Sequence, residues 1–342
     1  MTRSARETNN SFFSSTFNFP FQLTLGPAIG AIAAGNTVVI KPSENAPHSA
    51  AVMQKICEAS LDPSCYSVIQ GGVSETQALL AERWDKIFFT GGANVGRIIA
   101  KAAAPNLTPM VLELGGINPA IVSKTADPRL VARRMLWGKT VNAGQLCTSQ
   151  NYLLIDKSLV SRVVQEFKKA YKEFYPKGAR ASPDYSRIIH RGHFERLKSM
   201  LDKSKGKILL GGEMDENELF IEPTVIQIDS VEDSLCVQES FGPFITILPV
   251  ENLEEAINLA NSVQSTPLGL YPFGSKADVA KSTAYAVSLE PPEECSYLMN
   301  MFSSYLLHPF RRCFLQRCRP SHPYPAIWWR RREWLWCLSR SL

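Results

Sequence analysis

The sequence predicts an α/β fold, and three observations predict it. Short apolar or β-branched runs recur along the chain: TVVIK at 37–41, YSVIQ at 66–70, KIFFT at 86–90, MVLEL at 110–114 and PAIVS at 119–123. Segments with helical spacing of apolar residues alternate with these runs, and Gly-containing turns join the two. With 342 residues, 45% of them apolar and 20% charged, the chain is long enough for two domains, each with its own core. The same composition excludes collagen, a coiled coil and wholesale disorder.

After TVVIK, Ser43 is placed to cap a helix in which Ala50, Met53, Ile56 and Cys57 recur at helical spacing on the buried side. After KIFFT, a Gly-Gly turn leads into NVGRIIAKAAA, a second strand-turn-helix step. Open α/β sheets bind ligands at the carboxyl ends of their strands, so the loops after Lys41, Thr90 and Leu114 are the places for a site. A second section begins near Gln150. NYLLI at 151–155 reads as a strand, and the run from Leu159 to Phe174 as an amphipathic helix with Val160, Val163, Val164 and Phe167 inward. The charged, Gly-containing stretch from Asp202 to Glu218 reads as surface loops. No internal repeat or low-complexity tract is present.

Charge is unevenly spread. The formal net charge is +5, yet residues 291–342 hold 8 Arg, no Lys and 3 Glu, so the first 290 residues carry 29 basic and 29 acidic side chains. The same stretch holds 4 of the 6 Trp and 4 of the 8 Cys. The Cys residues of the neutral body show no zinc-type pairing, which reads as free thiols in a reducing compartment. No apolar run is long enough to span a membrane. The amino-terminal MTRSARETNN lacks an apolar signal core. The expected location is cytoplasmic, and membrane association is not readable.

Two groups stand out chemically. Cys147, in VNAGQLCTSQ, fits either an inert buried thiol or a nucleophile. Glu113, in VLELGGINP, is an acid at the end of an apolar strand; it is either tied to backbone amides or functionally needed, because an unpaired carboxylate there is costly. KPSE at 41–44 fits an ordinary helix entrance. FTGGANVG lacks the GxGxxG spacing, and QESFGPF fits a surface strand-turn. The five His (48, 190, 193, 308 and 322) form no metal-spaced set; His190 and His193 read as solvated side chains of one helix face, and nothing requires a metal.

Taken in order, the asparagine-aromatic-proline of FNFPF, the lysine loop, the Gly turn, the glutamate strand, the Gly-Gln-x-Cys segment and ESFGPF resemble the NAD(P)-dependent aldehyde dehydrogenase superfamily, and the phrasing from Phe17 to Glu44 resembles its class 3 branch of fatty and aromatic aldehyde oxidisers. The resemblance runs from about Asn18 to Ser288. It implies a Rossmann-like NAD(P)-binding domain, partial, at 1–115 and an α/β catalytic domain at 116–288, an incomplete form of the aldehyde dehydrogenase fold. It also implies roles. Cys147 would attack the aldehyde, Asn18 and the Cys147 backbone N–H would hold the oxyanion, and Glu113 would activate the hydrolytic water. Lys41 and Glu44 would contact the adenosine ribose, with Thr90, Gly91, Gly92, Gly96 and Leu114 along the rest of the NAD or NADP. Glu239 would hold the nicotinamide ribose and Phe241 would pack by the ring. Family members are commonly homodimers; the partner implied is a small-molecule aldehyde, with no nucleic acid. Two alternatives stand beside this reading: a truncated, inactive homologue or binding module, and a CoA-acylating relative, against which Glu113 argues.

Family members carry a longer segment of helices and strands before the asparagine motif, so the resemblance predicts a shortened coenzyme domain with exposed apolar surface. The other end can be read through the genetic code. Shifting IWWRRREWLW at 327–336 forward by one nucleotide turns each Trp into Gly and produces Phe/Ser/Tyr-Gly-Gly-x-x-x-Asn/Ser-Gly-x-Gly. The family's closing motif is Phe-Gly-Gly-x-x-x-Ser-Gly-x-Gly. Residues 289–342 are therefore expected to be an aberrant, out-of-frame tail rather than a nucleic-acid-binding one.

Overall fold

A computed structural model describes residues 9–264 and 267–287. The stretch at 289–342, where the sequence places the out-of-frame tail, lies outside the described residues, as do His308 and His322.

The first half of the chain alternates strand and helix: β1 Asn10–Ser14, α1 Pro20–Ala33, β2 Thr37–Lys41, α2 Pro47–Ser60, β3 Tyr66–Val68, α3 Val73–Ala81, β4 Lys86–Gly91, α4 Ala93–Ala103 and β5 Met110–Leu114. The five strands are all parallel, in the order β3-β2-β1-β4-β5. The order reverses at β1/β4, where α/β sheets open a crevice for ligands. β1, absent from the sequence reading, is the central strand. Its pattern is masked because two serines flank the only apolar pair. That pair feeds both faces: Phe12 packs with Ile87, Phe89 and Ile99 and stacks on Trp84, while Phe13 packs with Ala28, Val38 and Ile40 and stacks on Phe88. Burial on both sides is what a parallel strand covered by helices requires.

Helix α2 corrects two expectations. Its N-cap residue is Ala46, with Pro47 in the first turn; Ser43 instead accepts the Asn45 N–H on its hydroxyl and the Ala46 N–H on its carbonyl, forming a turn upstream. Ala50, Met53 and Cys57 face the core, but Ile56 is exposed.

The chain then builds a second sheet from β6 Asn118–Val122, α5 Pro128–Thr140, β7 Gln150–Asp156, α6 Val160–Phe174, α7 Arg191–Lys203, β8 Lys207–Leu210, β9 Met214–Asp215, β10 Phe220–Ile221, β11 Thr224–Gln227, β12 Phe244–Val250, α8 Leu253–Val263 and β13 Tyr271–Phe273. Its order is β13-β6-β7-β12-β11-β8, parallel except for β8, while β9 and β10 form a small antiparallel ribbon. The stretch read as loops at 202–218 thus contains two strands. β8 was hidden by Lys207 and the charged, Gly-containing residues before it; it is an edge strand with two exposed residues.

Every residue of β7 is buried, and its two faces divide the core. Leu153 and Ile155 pack with Val131, Met135 and Leu136 of α5 and with Val163 and Phe167 of α6. Val160 and Val164 lie partly buried against the same cluster. Tyr152 and Leu154 face Phe194 and Leu197 of α7 and Ile257 of α8. Each large side chain sequestered this way contributes about 1.5–3 kcal/mol. Asp127 starts α5 by accepting the Arg129 N–H at 2.9 Å, with Pro128 in its first turn.

Both sheets lie in one compact unit that ends at Ser275. The last described helix, α9 Lys276–Val287, belongs to the next unit. No described helix is long and apolar enough to cross a membrane.

Candidate active site

The loop between α5 and β7 carries Cys147 and is bent by three successive left-handed residues, Asn142 (φ 50°), Ala143 (φ 51°) and Gly144 (φ 74°). A Cβ on Gly144 would lie 2.2 Å from the Gly242 carbonyl oxygen, so only glycine fits. Side chains from distant elements then pin the backbone. Asn142 Nδ2 donates to the Asn18 carbonyl at 3.1 Å, and Asn18 Nδ2 donates to the Gln145 carbonyl at 3.1 Å. Asn118, fully buried at the start of β6, donates to the carbonyls of Cys147 (2.8 Å) and Ser149 (2.9 Å) and accepts the Gly269 N–H (2.8 Å). The Tyr271 hydroxyl donates to the Thr148 carbonyl. Gln145 is itself held by Arg187, Ile189 and Asn142.

Cys147 is half-buried, and its thiol is pushed up to about 12. Burial is the main cause, followed by the Glu239 carboxylate and, more weakly, Glu113. Both carboxylates therefore lie close enough for their charge to act on the sulfur. Glu113 is on β5, paired in register with Thr90 of β4, and Leu114 is paired with Gly91. Gly92 caps α4 and accepts the Gly96 N–H, and Gly96 is buried against the Leu114 side chain.

The turn before β12 brings Glu239 to the same place. Its position is inward, not the surface strand-turn read from sequence, because Gly115 leaves room for it: a Cβ there would lie 1.9 Å from Glu239 Oε2. The other oxygen, Oε1, is buried with no hydrogen-bond partner among the described residues. Burial lifts the Glu239 carboxyl to about 7, opposed by Lys139, the Gly116 N–H and Arg196. Lys139 is fully buried on α5, and desolvation lowers its ammonium to about 7 against the pull of Glu239.

Phe241 has a left-handed backbone (φ 50°), and its ring is stacked on His193 at 6.0 Å with Phe17 edge-on at 6.0 Å. His193 is accordingly not a solvated histidine. Its ring nitrogen lies 2.6 Å from Arg196, and burial with that guanidinium pulls it down to about 3, so it is neutral. His190 is exposed and serves as the N-cap of α7, accepting the His193 N–H at 3.1 Å. Arg196 also donates to the carbonyls of Glu239 and Ser240. At the end of β2, the buried Lys41 ammonium donates to the carbonyls of Pro42 (3.0 Å) and Gly71 (2.9 Å) and to Glu44 (3.1 Å), which is half-exposed. Among the described residues no three His, Cys, Asp or Glu side chains gather as a metal site.

A sequence model of the aldehyde dehydrogenase family matches residues 14–284, a span that includes every residue of this site. The chain belongs to the aldehyde dehydrogenase family. It is 54% identical over 262 residues to Beta-apo-4'-carotenal oxygenase of Neurospora crassa, covering 77% of this chain and 49% of that protein. It is 45% identical over 265 residues to Aldehyde dehydrogenase family 3 member A2 of Pongo abelii, covering 78% of this chain and 54% of that one. The chain thus spans about half the length of the curated relatives it matches. The solved Staphylococcus aureus AldH in its substrate-bound state superposes with a TM-score of 0.76 at 38% identity, covering 81% of this chain and 61% of that chain. A Mycobacterium tuberculosis aldehyde dehydrogenase complexed with NAD+ gives 0.73 at 26% identity, covering 81% and 59%.

Against this aldehyde dehydrogenase fold, the residues picked from sequence fall into two sets. Asn18, Glu113, Cys147, Glu239 and Phe241 meet where the two sheets adjoin. Lys41, Glu44, Thr90, Gly91, Gly92, Gly96 and Leu114 line the carboxyl edge of the first sheet. Sequence reasoning missed Asn118, Lys139, Arg196 and His193. Lys139 had a usable signal, since it continues the buried stripe of α5 through Ala132, Met135 and Leu136.

Proposed function

We propose that this chain oxidises aldehydes to carboxylic acids with NAD or NADP as the acceptor. The carrying observation is the arrangement at Cys147: one half-buried thiol on a pinned loop, with the Asn18 amide tied to that loop and two carboxylates near enough to act on the sulfur's charge. With its proton held so tightly, the thiol is neutral at rest, so attack requires a base in the same pocket; Glu113 and Glu239 are the carboxylates available. The sulfur adds to the carbonyl carbon, and the oxygen takes the negative charge. Asn18 and the Cys147 backbone N–H supply donors for that oxyanion. The bound nicotinamide supplies the acceptor for the hydride, which leaves a thioester on Cys147. Water, deprotonated by Glu113, then adds to the thioester and releases the acid and the thiol.

The residues present fit the coenzyme. Glu239 Oε1 is a buried acceptor with no partner among the described residues, on a carboxylate seated against Gly115, which suits a hydroxyl-bearing ligand. Glu239 would hold the nicotinamide ribose, Phe241 would pack by the ring, and Lys41 with Glu44 would meet the adenosine ribose. Thr90, Gly91, Gly92, Gly96 and Leu114 would line the remainder. Relatives named for an apocarotenal and for family 3 support aliphatic or aromatic aldehydes, long apolar ones included, as the substrate class.

The test is aldehyde-dependent formation of reduced nicotinamide by the purified chain, with hexanal, benzaldehyde and a long-chain aldehyde. Turnover should vanish in Cys147→Ala; turnover persisting there would sink the assignment. Release of acid without added CoA separates this reaction from an acylating one.

A further inference from the structure

A lysine with no exposed surface at all is rare unless its charge is used. Lys139 lies on the core stripe of α5, where a methionine or leucine would pack without desolvation cost. Its single described hydrogen bond is long, 3.4 Å to Ser240 Oγ. Directly before Ser240 stands Glu239, whose Oε1 is buried with no partner among the described residues. A fully buried ammonium with one long hydrogen bond is thus anchored at the residue next to a carboxylate that has one unpartnered buried oxygen among the described residues.

We propose that Lys139 is a positioning residue of the coenzyme pocket: anchored at Ser240, next to Glu239, it keeps the Glu239 carboxylate ready to accept ribose hydroxyls. This rests on the coenzyme reading above. Arg196 fixes the turn from α7 through the carbonyls of Glu239 and Ser240, so the backbone does not depend on Lys139 alone. The ammonium acts on the side chain's charge instead. The charged or titratable groups near enough to act on Glu239 are Lys139 from α5, Arg196 from α7 with neutral His193 against it, and Cys147 from the loop before β7, on which Glu113 also acts. Burial lifts the carboxyl and Lys139 is the largest influence opposing it. Removing the cation therefore moves Glu239 ionisation to higher pH.

The test measures dissociation constants of NAD+ and NADP+ by fluorescence titration, from about pH 6 to about pH 9, for the full chain and for Lys139→Met, Lys139→Arg and Glu239→Gln. Circular dichroism checks each fold, and Lys139→Gln replaces Lys139→Met if the latter does not fold. In the parent chain affinity should fall as pH drops through about 7, where Glu239 protonates. In Lys139→Met the midpoint should move up by about one unit, giving roughly tenfold weaker binding at neutral pH that recovers near pH 9. Lys139→Arg should restore the midpoint, and Glu239→Gln should flatten the profile. A Lys139→Met profile that overlays the parent, or that weakens equally at every pH, overturns the proposal and leaves the coenzyme reading standing. A folded parent chain that binds neither nucleotide at any pH overturns the coenzyme reading itself.

Discussion

The side-chain amide of Asn18 lies 3.1 Å from the carbonyl of Gln145, two residues before Cys147 and 127 residues away in sequence. This bond joins the loop after the central strand of the first sheet to the cysteine loop of the second. It occupies one of the two amide hydrogens and leaves the other available to an oxyanion. Asn18→Ala should thus do two things. Loss of the proposed oxyanion donor should lower kcat by roughly 10²–10³, and loss of the tie should cost about 1 kcal/mol of stability. Steady-state kinetics read the first and urea unfolding the second. A kcat within twofold of the parent would remove Asn18 from the oxyanion site.

The Cys147 thiol, held up to about 12, has a definite consequence for labelling. Its alkylation by iodoacetamide, followed by mass spectrometry of the Cys147 peptide, should keep rising with pH past the point where an ordinary thiol levels off. Neutralising a nearby carboxylate removes a repulsion that favours the protonated sulfur. Glu239→Gln should therefore label faster than the parent near pH 8, by several-fold, and Glu113→Gln should show a smaller gain because its influence is weaker. Slower labelling in Glu239→Gln would mean that its carboxylate serves the sulfur chiefly as a base.

Legibility from sequence differed by the range over which each feature is set. The runs TVVIK, KIFFT, MVLEL and NYLLI announce β2, β4, β5 and β7 because buried parallel strands are built from contiguous apolar residues. NSFFS does not announce β1, since its burial comes from helices on both faces and not from its own composition. The same divide separates the site residues. Cys147 and Glu113 are conspicuous by residue type, and the order of motifs supplied Asn18, Glu239 and Phe241. Asn118 and Arg196 look like ordinary polar residues until the fold brings Cys147, Ser149 and the Glu239 turn against them.

Lys139 and Glu239 place two desolvated charges where apolar side chains would pack, and this should limit stability. Folding lowers the lysine to about 7 from its ordinary 10.5, so it disfavours the folded state fully below pH 7, and the penalty is relieved as pH rises toward 10.5. Glu239 is raised from 4.5 to about 7, so its contribution is lost as pH rises through that interval. Together the pair should produce a shallow minimum in stability near neutrality. Combining Lys139→Met with Glu239→Gln should remove it and stabilise the fold by about 1–4 kcal/mol while abolishing tight coenzyme binding. Urea unfolding across pH checks the first outcome. A double variant less stable than the parent at every pH would contradict it.

Asn118 offers the sharpest separation of loop geometry from chemistry. Its amide makes all three of its bonds to backbone, two as donor to the carbonyls flanking Thr148 and one as acceptor from Gly269. Asn118→Asp has the same shape and keeps the acceptor, but it sets a carboxylate oxygen against two carbonyl oxygens. Asn118→Ala simply leaves three buried backbone groups unpaired, at about 1–3 kcal/mol for the first lost partner and less where the loop relaxes toward water. Asp should therefore be the more damaging change, although it is the more conservative one by volume. Both should lower kcat more than they raise KM, because the displaced group is the Cys147 backbone, which carries the proposed nucleophile and the proposed oxyanion N–H. Equal losses from Asp and Ala, with kcat preserved, would show that the clamp serves stability alone.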